Sequence, residues 1–357
     1  MEAQGVSDVL TEVRGGVGFI TLHRPKALNA LSLQMIRDLS AALVAWRDDA
    51  AIQAVAIRGQ GKEGPFGAFC AGGDIRYFHQ AVFAGDTSLE DFFTEEYTLN
   101  HLIHNYPKPY IAFLDGIVMG GGMGISQGAS LRIVTERTKM AMPETNIGLF
   151  PDVGGGYFLS RCPGFLGEYL ALTGVAIDGA DALLSRLADL QLDSASLPAL
   201  WADPAALLHL SATDSVPLHA QLARVDGQIN QVFGLGGVQA IIDALEAGGS
   251  PWAQETAAVL RKRSPLMLHV VLEQIRRGRA MGLADDLRME RDMVWQCFHL
   301  RPGAASETVE GIRAAFIDKD HSPKWNPARI EDVTPEMVAP FFASPWPAHA
   351  HPLRGLA

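Results

Sequence analysis

Between residues 16 and 136 the chain repeatedly sets a short apolar run beside a glycine-rich turn or a helical pattern. This alternation is what most narrows its fold. GVGFITL (16–22) reads as a strand. Ser32 then reads as the N-cap of a helix with Leu33, Ile36, Leu39, Leu43 and Trp46 at helical spacing. AVAIRG (54–59), YIAFLDG (110–116) and LRIVTE (131–136) are further strands, and KMAMPE (139–144) is a short fifth. Strands interleaved with helices in this way predict an α/β core. From Pro204 the character changes. Segments 238–248, 265–282 and 285–300 have the pattern of amphipathic helices, and the tail SPKWNPARIEDVTPEMVAPFF is broken by prolines. The expected division is a core over 1–203 and a mainly helical region over 204–357.

Composition closes off several function classes. With 48% hydrophobic and 19% charged residues in 357, disordered and collagen-like chains are excluded. A net charge of −11 argues against a nucleic-acid partner, yet leaves room for a local basic site facing an anionic ligand. Cys70, Cys162 and Cys297 lack CxxC spacing, which suggests a reducing compartment and no disulfide framework. No apolar run reaches the length of a membrane span, and MEAQGVSDVLTEVRGG at the start has neither a signal-peptide core nor an Arg-rich transit pattern. The expectation is a cytoplasmic protein without membrane or nucleic-acid partners.

Some motifs mislead. GQGKEG (59–64) satisfies G-x-G-x-x-G after a strand, but the PFGAFCAGG that follows cannot open the helix a dinucleotide site needs. His101 and His104 stand three apart with no acidic partner, so no metal site is expected. Two glycine loops are more informative. In FCAGGDIR (69–76), Ala71, Gly72 and Gly73 let backbone come close to a ligand, although the segment alone reads equally as a tight loop. In DGIVMGGGMGISQG (115–128), Gly120, Gly121 and Gly122 would bring bare N–H groups to the start of a helix; close helix–sheet packing would ask for the same residues. Taken together, the loops suggest two backbone donors around one oxygen, an oxyanion hole. MPETNIGLFPDVGGG (142–156) then supplies two acids, Glu144 and Asp152, each after a proline.

HRPKALNAL (23–31), FCAGGDI, DGIVMGGGMG and MPETNIGLFPDVGGG resemble, in order and spacing, the crotonase (enoyl-CoA hydratase/isomerase) superfamily. FFTEEYTLNH (92–101), PDVGGGYFL and IDKDHSPKWNP (317–327) are similar to its hydrolase branch, which acts on 3-hydroxyisobutyryl-CoA. The resemblance covers almost the whole chain. It implies a spiral of β-β-α units with a helical C-terminal region. It implies an acyl-CoA substrate, no cofactor beyond the CoA of that substrate, and a homo-oligomer, trimer or dimer of trimers. By position, Gly73 and Gly121 would hold the thioester oxygen. Lys26 and Leu28 would lie near the CoA phosphates and pantetheine, and Ala71, Asp74 and Ile75 near the adenine and pantetheine. Glu96, Glu144 and Asp152 would line the acyl pocket.

The reaction turns on Gly124. Hydratases of this superfamily resemble one another in carrying a glutamate there, which pairs with the equivalent of Glu144 to hold water against a C=C bond. Without it, thioester hydrolysis is expected. Glu144 would be base or nucleophile, and Asp152 and Glu96 would recognise a 3-hydroxyl. The competing readings are enoyl-CoA hydration or isomerisation, and acyl-CoA binding without turnover. One stretch departs from the branch: residues 301–314, RPGAASETVEGIRA, carry Ala-Ser-Glu-Thr where an Asp-Phe turn is usual, which bears on specificity if that turn covers the acyl pocket.

Overall fold

The computed structural model describes residues 7–212 and 219–357. It divides into two compact units. The first takes residues up to Gly73, then 99–140 and 177–220; the second takes 74–98, 141–176 and 221–357.

The first unit is built on a six-stranded sheet. In spatial order its strands are Val9–Arg14, Val17–Leu22, Ala54–Gly59, Tyr110–Leu114, Leu131–Val134 and Leu190–Gln191. The first pair is antiparallel and every later pair is parallel. The central parallel strands are buried on both faces, which is why they are legible as continuous apolar runs. Val9–Arg14 was not anticipated. It is an edge strand with only Val9 buried, so its charged residues hide the pattern. On one face, Phe19, Ala56, Phe113 and Ile133 pack with Phe66 and Trp201, the Phe19 and Trp201 rings meeting edge to face at 4.8 Å. Trp46, from the helix Leu33–Arg47, lies over Gly18, where a Cβ would come within 2.6 Å of its ring. The Ser32 cap forms as expected, accepting from the Met35 N–H at 3.3 Å. A separate two-stranded piece pairs Ile117–Met119 with Lys139–Ala141, the short fifth strand.

The second unit is mainly helical. Its centre is the helix Pro265–Gly278, capped by Ser264, and the helix Leu283–His299. Both follow the apolar spacing of the sequence, as does Val238–Ala247. Three shorter helices, Asp226–Phe233, Pro251–Leu260 and Glu307–Ile312, were missed because glycine or proline punctuates each pattern. Leu283–His299 also buries Asp286, Glu290 and Arg291, an unusual load for a helix interior. Among the described residues no helix is long and apolar enough to cross a membrane, and no group of three or more His, Cys, Asp or Glu could hold a metal ion.

Candidate active site

In the first unit the two glycine loops run side by side. Residues 69–70 follow the strand Ile117–Met119: Cys70 N–H donates to Ile117 O at 3.0 Å, and Met119 N–H donates to Cys70 O at 2.9 Å. A Cβ on Gly72 would lie 3.3 Å from Met119 O and 3.6 Å from the Gly121 nitrogen. A Cβ on Gly122 would lie only 2.4 Å from Cys70 O. These glycines are therefore required by backbone approach, which brings the expected donor loops together. Gly121 opens the helix Gly121–Gln127, so its N–H has no partner within it. Neither the Gly121 nor the Gly73 N–H donates to any described atom, which leaves both amides available to an incoming oxygen. Gly124 is buried in the same helix and brings no carboxylate.

The loop after HRP lies against the first of these. Ala71 N–H donates to Leu28 O at 3.0 Å, and Leu31 N–H to Gly72 O at 2.8 Å. Leu28 and Asn29 both adopt left-handed φ, 51° and 57°. Asn29 is the organising residue that sequence reasoning passed over. Fully buried, it accepts from Arg24 N–H and donates to Gln60 O, Ala68 O and Phe69 O at 2.9–3.1 Å. Asparagine's tolerance of left-handed backbone was the available signal. Lys26 sits exposed in the turn Pro25–Ala27. Asp74 and Ile75 fall in the second unit, half-buried at the start of the helix Ile75–Ala84.

The second unit gathers all three expected acids. Glu96 comes from the helix Ser88–His104, Glu144 from the short turn Glu144–Ile147, and Asp152 from the loop after it. Each is nearly inaccessible, and one oxygen each of Glu96 and Glu144 is buried with no hydrogen-bond partner. Burial drives the carboxyl groups of Glu96 and Glu144 well above the usual range, and the charge of Asp152 pushes both further. Asp152 rises only to about 6, because the Tyr97 hydroxyl donates to it at 2.8 Å and supports the ionised form. Tyr97, inside FFTEEYTLNH beside Glu96, is a site residue that the sequence does not single out, since a buried tyrosine in a helix reads as ordinary core.

The turn holding Glu144 is buttressed from the tail. Thr308 Oγ1 donates to Gly148 O at 2.7 Å, and Cβ atoms on Gly148 and Gly311 would strike Glu307 O and Ile147 O at 2.4 and 2.2 Å. Part of the departing Ala-Ser-Glu-Thr, with the Glu-Gly that follows it, thus packs directly on the Glu144 turn. The IDKDHSPKWNP stretch locks this segment in turn, with Lys324 N–H on Glu310 and Asn326 N–H on Glu307 at 2.7 and 2.8 Å. The motif's main chain thus holds the segment that packs on the Glu144 turn.

A stability consequence follows from Asp152. Its carboxyl titrates near 6 when folded, against an ordinary 3.8, so the folded chain binds the extra proton between those values and loses stability as pH rises through them. Asp152→Asn removes the buried charge and keeps an acceptor for Tyr97. The variant is expected to be more stable than wild type by about 1–3 kcal/mol near neutrality, with the gain fading below about pH 4. Urea unfolding at both pH values checks this, and an unchanged or lowered midpoint at neutrality refutes it.

Comparison with known proteins agrees with this geometry. The enoyl-CoA hydratase/isomerase family model matches residues 17–342. A mitochondrial 3-hydroxyisobutyryl-CoA hydrolase from Gallus gallus is 42% identical over 93% of this chain and 88% of its own. 3-Hydroxyisobutyryl-CoA hydrolase 1 from Arabidopsis thaliana is 39% identical over 96% and 93%. Among solved structures, one described as an enoyl-CoA hydratase from Rhodobacter sphaeroides superposes with TM-score 0.87 at 38% identity, covering 95% of this chain and 98% of that one. A carnitinyl-CoA dehydratase from Mycobacterium thermoresistibile gives 0.85 at 39%, covering 95% and 97%.

Proposed function

This chain belongs to the enoyl-CoA hydratase/isomerase family, and from that premise we propose that it hydrolyses 3-hydroxyisobutyryl-CoA, or a close 3-hydroxyacyl-CoA, to the free acid and CoA. The curated relatives are named hydrolases, and the two solved structures are described as a hydratase and a dehydratase. The observation that carries the hydrolase reading is Gly124, which provides no second carboxylate for holding water at a C=C bond, while Glu144 and Asp152 are both retained. In valine breakdown such a step would release the 3-hydroxy acid.

The proposed chemistry runs as follows. The Gly73 and Gly121 N–H groups take the thioester oxygen as it gains charge. Glu144 either removes a proton from the attacking water or adds to the carbonyl carbon itself. The C–S bond then breaks, and the CoA sulfur takes up a proton from the acid cluster. On the second route, water cleaves the acyl-Glu144 anhydride afterwards. Asp152 and Glu96 recognise the 3-hydroxyl. CoA enters as part of the substrate, and no other cofactor is called on. The reading also includes a cytoplasmic location and a homo-oligomeric state, a trimer or a dimer of trimers. The location is compatible with three buried cysteines, none in a disulfide among the described residues; the oligomer rests on family resemblance.

The test is thiol release from 3-hydroxyisobutyryl-CoA, isobutyryl-CoA and crotonyl-CoA. Release is expected with the first, more slowly with the second, and crotonyl-CoA should keep its enoyl absorbance. Because Glu144 must lose its proton to act, and burial with the charge of Asp152 holds its carboxyl well above the usual range, the rate should rise with pH through the neutral range rather than level off at ordinary carboxylate pH. Loss of enoyl absorbance without thiol release would replace this reading by hydration.

A further inference from the structure

Two buried acids of the second unit take no part in that chemistry. Asp286 and Glu290 stand one turn apart on the helix Leu283–His299, and neither is exposed at all. Carboxyl groups so placed are costly unless satisfied, so their partners show what they are for. Glu290 Oε2 accepts from Gly154 N–H at 2.7 Å, and its Oε1 from Gly156 N–H at 2.8 Å and Gln274 Nε2 at 3.0 Å. Gln274 Nε2 also donates to Pro151 O at 2.6 Å. Asp286 accepts from Tyr157 N–H at 3.0 Å, and its charge lies close enough to push the Glu290 carboxyl, already raised by burial, further up. Every one of these main-chain partners lies between Pro151 and Tyr157, the turn that carries Asp152.

The glycines of that turn are shaped for this approach. A Cβ on Gly156 would sit 2.3 Å from Asp286 Oδ1, and a Cβ on Gly278 would sit 2.2 Å from Gly156 O. Val153, next to Asp152, is held at φ 56°, a conformation a β-branched residue does not adopt unaided. Gly156 therefore makes room for Asp286, while Cβ atoms on Gly154 and Gly155 would meet Leu283 and Pro151 first.

We propose that Glu290, backed by Asp286 and Gln274, is a positioning residue: by gripping the Gly154 and Gly156 amides it fixes the turn that aims the Asp152 carboxyl. The inference rests on the reading of Asp152 as the group that recognises the acyl chain. Glu290→Gln keeps the shape and replaces one acceptor by a donor that opposes an N–H. On 3-hydroxyisobutyryl-CoA it should lower kcat/KM by about tenfold to a hundredfold, the scale set by small misplacement of a working group. Isobutyryl-CoA, lacking the hydroxyl, should lose less than about threefold, and in an Asp152→Asn background Glu290→Gln should cost nothing further. Equal losses on both thioesters, or the same loss with Asp152 already neutralised, would overturn the proposal. If Glu290→Gln does not fold, Gln274→Ala, which removes the donor shared by Pro151 O and Glu290 Oε1 but leaves Glu290 on the Gly154 and Gly156 amides, goes through the same comparison. If wild type cleaves neither thioester, the functional reading fails by itself. The crystal structure of the Glu290→Gln protein then decides: Asp152 drawn off the Tyr97 hydroxyl supports positioning, and an unmoved turn overturns it.

Discussion

Glu144→Gln is expected to lower kcat for CoA release by about 10²–10⁴-fold, with KM changed only a few-fold. The substitution keeps the shape of the side chain. It removes the group that activates water or bonds to the carbonyl carbon, and either role is needed only as the transition state forms. The fold should not suffer. Glu144 Oε2 is buried with no partner, and its turn is held by Thr308 and by the close approach of Gly311 to Ile147, none of which uses the carboxyl. Removing an acid that burial and Asp152 already keep from ionising should leave stability equal or higher. Steady-state kinetics beside urea unfolding separate the two effects. A variant that folds like wild type and retains its kcat would show that Glu144 is not the working acid.

Gly122→Ala is expected to be nearly as damaging, from the main-chain side. Its methyl group would lie 2.4 Å from Cys70 O and 2.9 Å from Cys70 Cβ, so the two glycine loops must separate. The Gly73 and Gly121 amides sit on those loops. Losing one properly placed donor of such a pair typically costs about 10²–10³-fold in kcat. The overpacking itself should cost about 1–3 kcal/mol of stability. Gly64→Ala is the control, since nothing lies within 4 Å of the added carbon. If Gly122→Ala loses stability but keeps kcat, the amides have no share in the chemistry.

What was legible in the sequence was local. The strands Val17–Leu22, Ala54–Gly59 and Tyr110–Leu114 announce themselves because parallel strands buried on both faces are apolar throughout. The Ser32 cap works through a partner three residues away. Glu144 and Asp152 stood out as a Pro-Glu and a Pro-Asp before a triple glycine, Glu96 only through resemblance, and the second unit gathers the three into one electrostatic cluster. The supports were not legible, because they act over long separations. Glu290 reaches back to Gly154 from 136 positions away, and Thr308 to Gly148 from 160. On its own helix, Glu290 reads as an ordinary solvated acid. The PDVGGG glycines read in the sequence only as a turn beside two acids, and only the fold shows that Gly156 meets Asp286 and that the Gly154 and Gly156 amides meet Glu290.

The most direct measurement is a crystal structure of the Glu144→Gln protein with 3-hydroxyisobutyryl-CoA. The thioester oxygen should lie within about 3 Å of both the Gly73 and Gly121 nitrogens, with the position-144 side chain against the carbonyl carbon. An oxygen bound elsewhere, with both amides facing only water, would contradict hydrolysis by this arrangement.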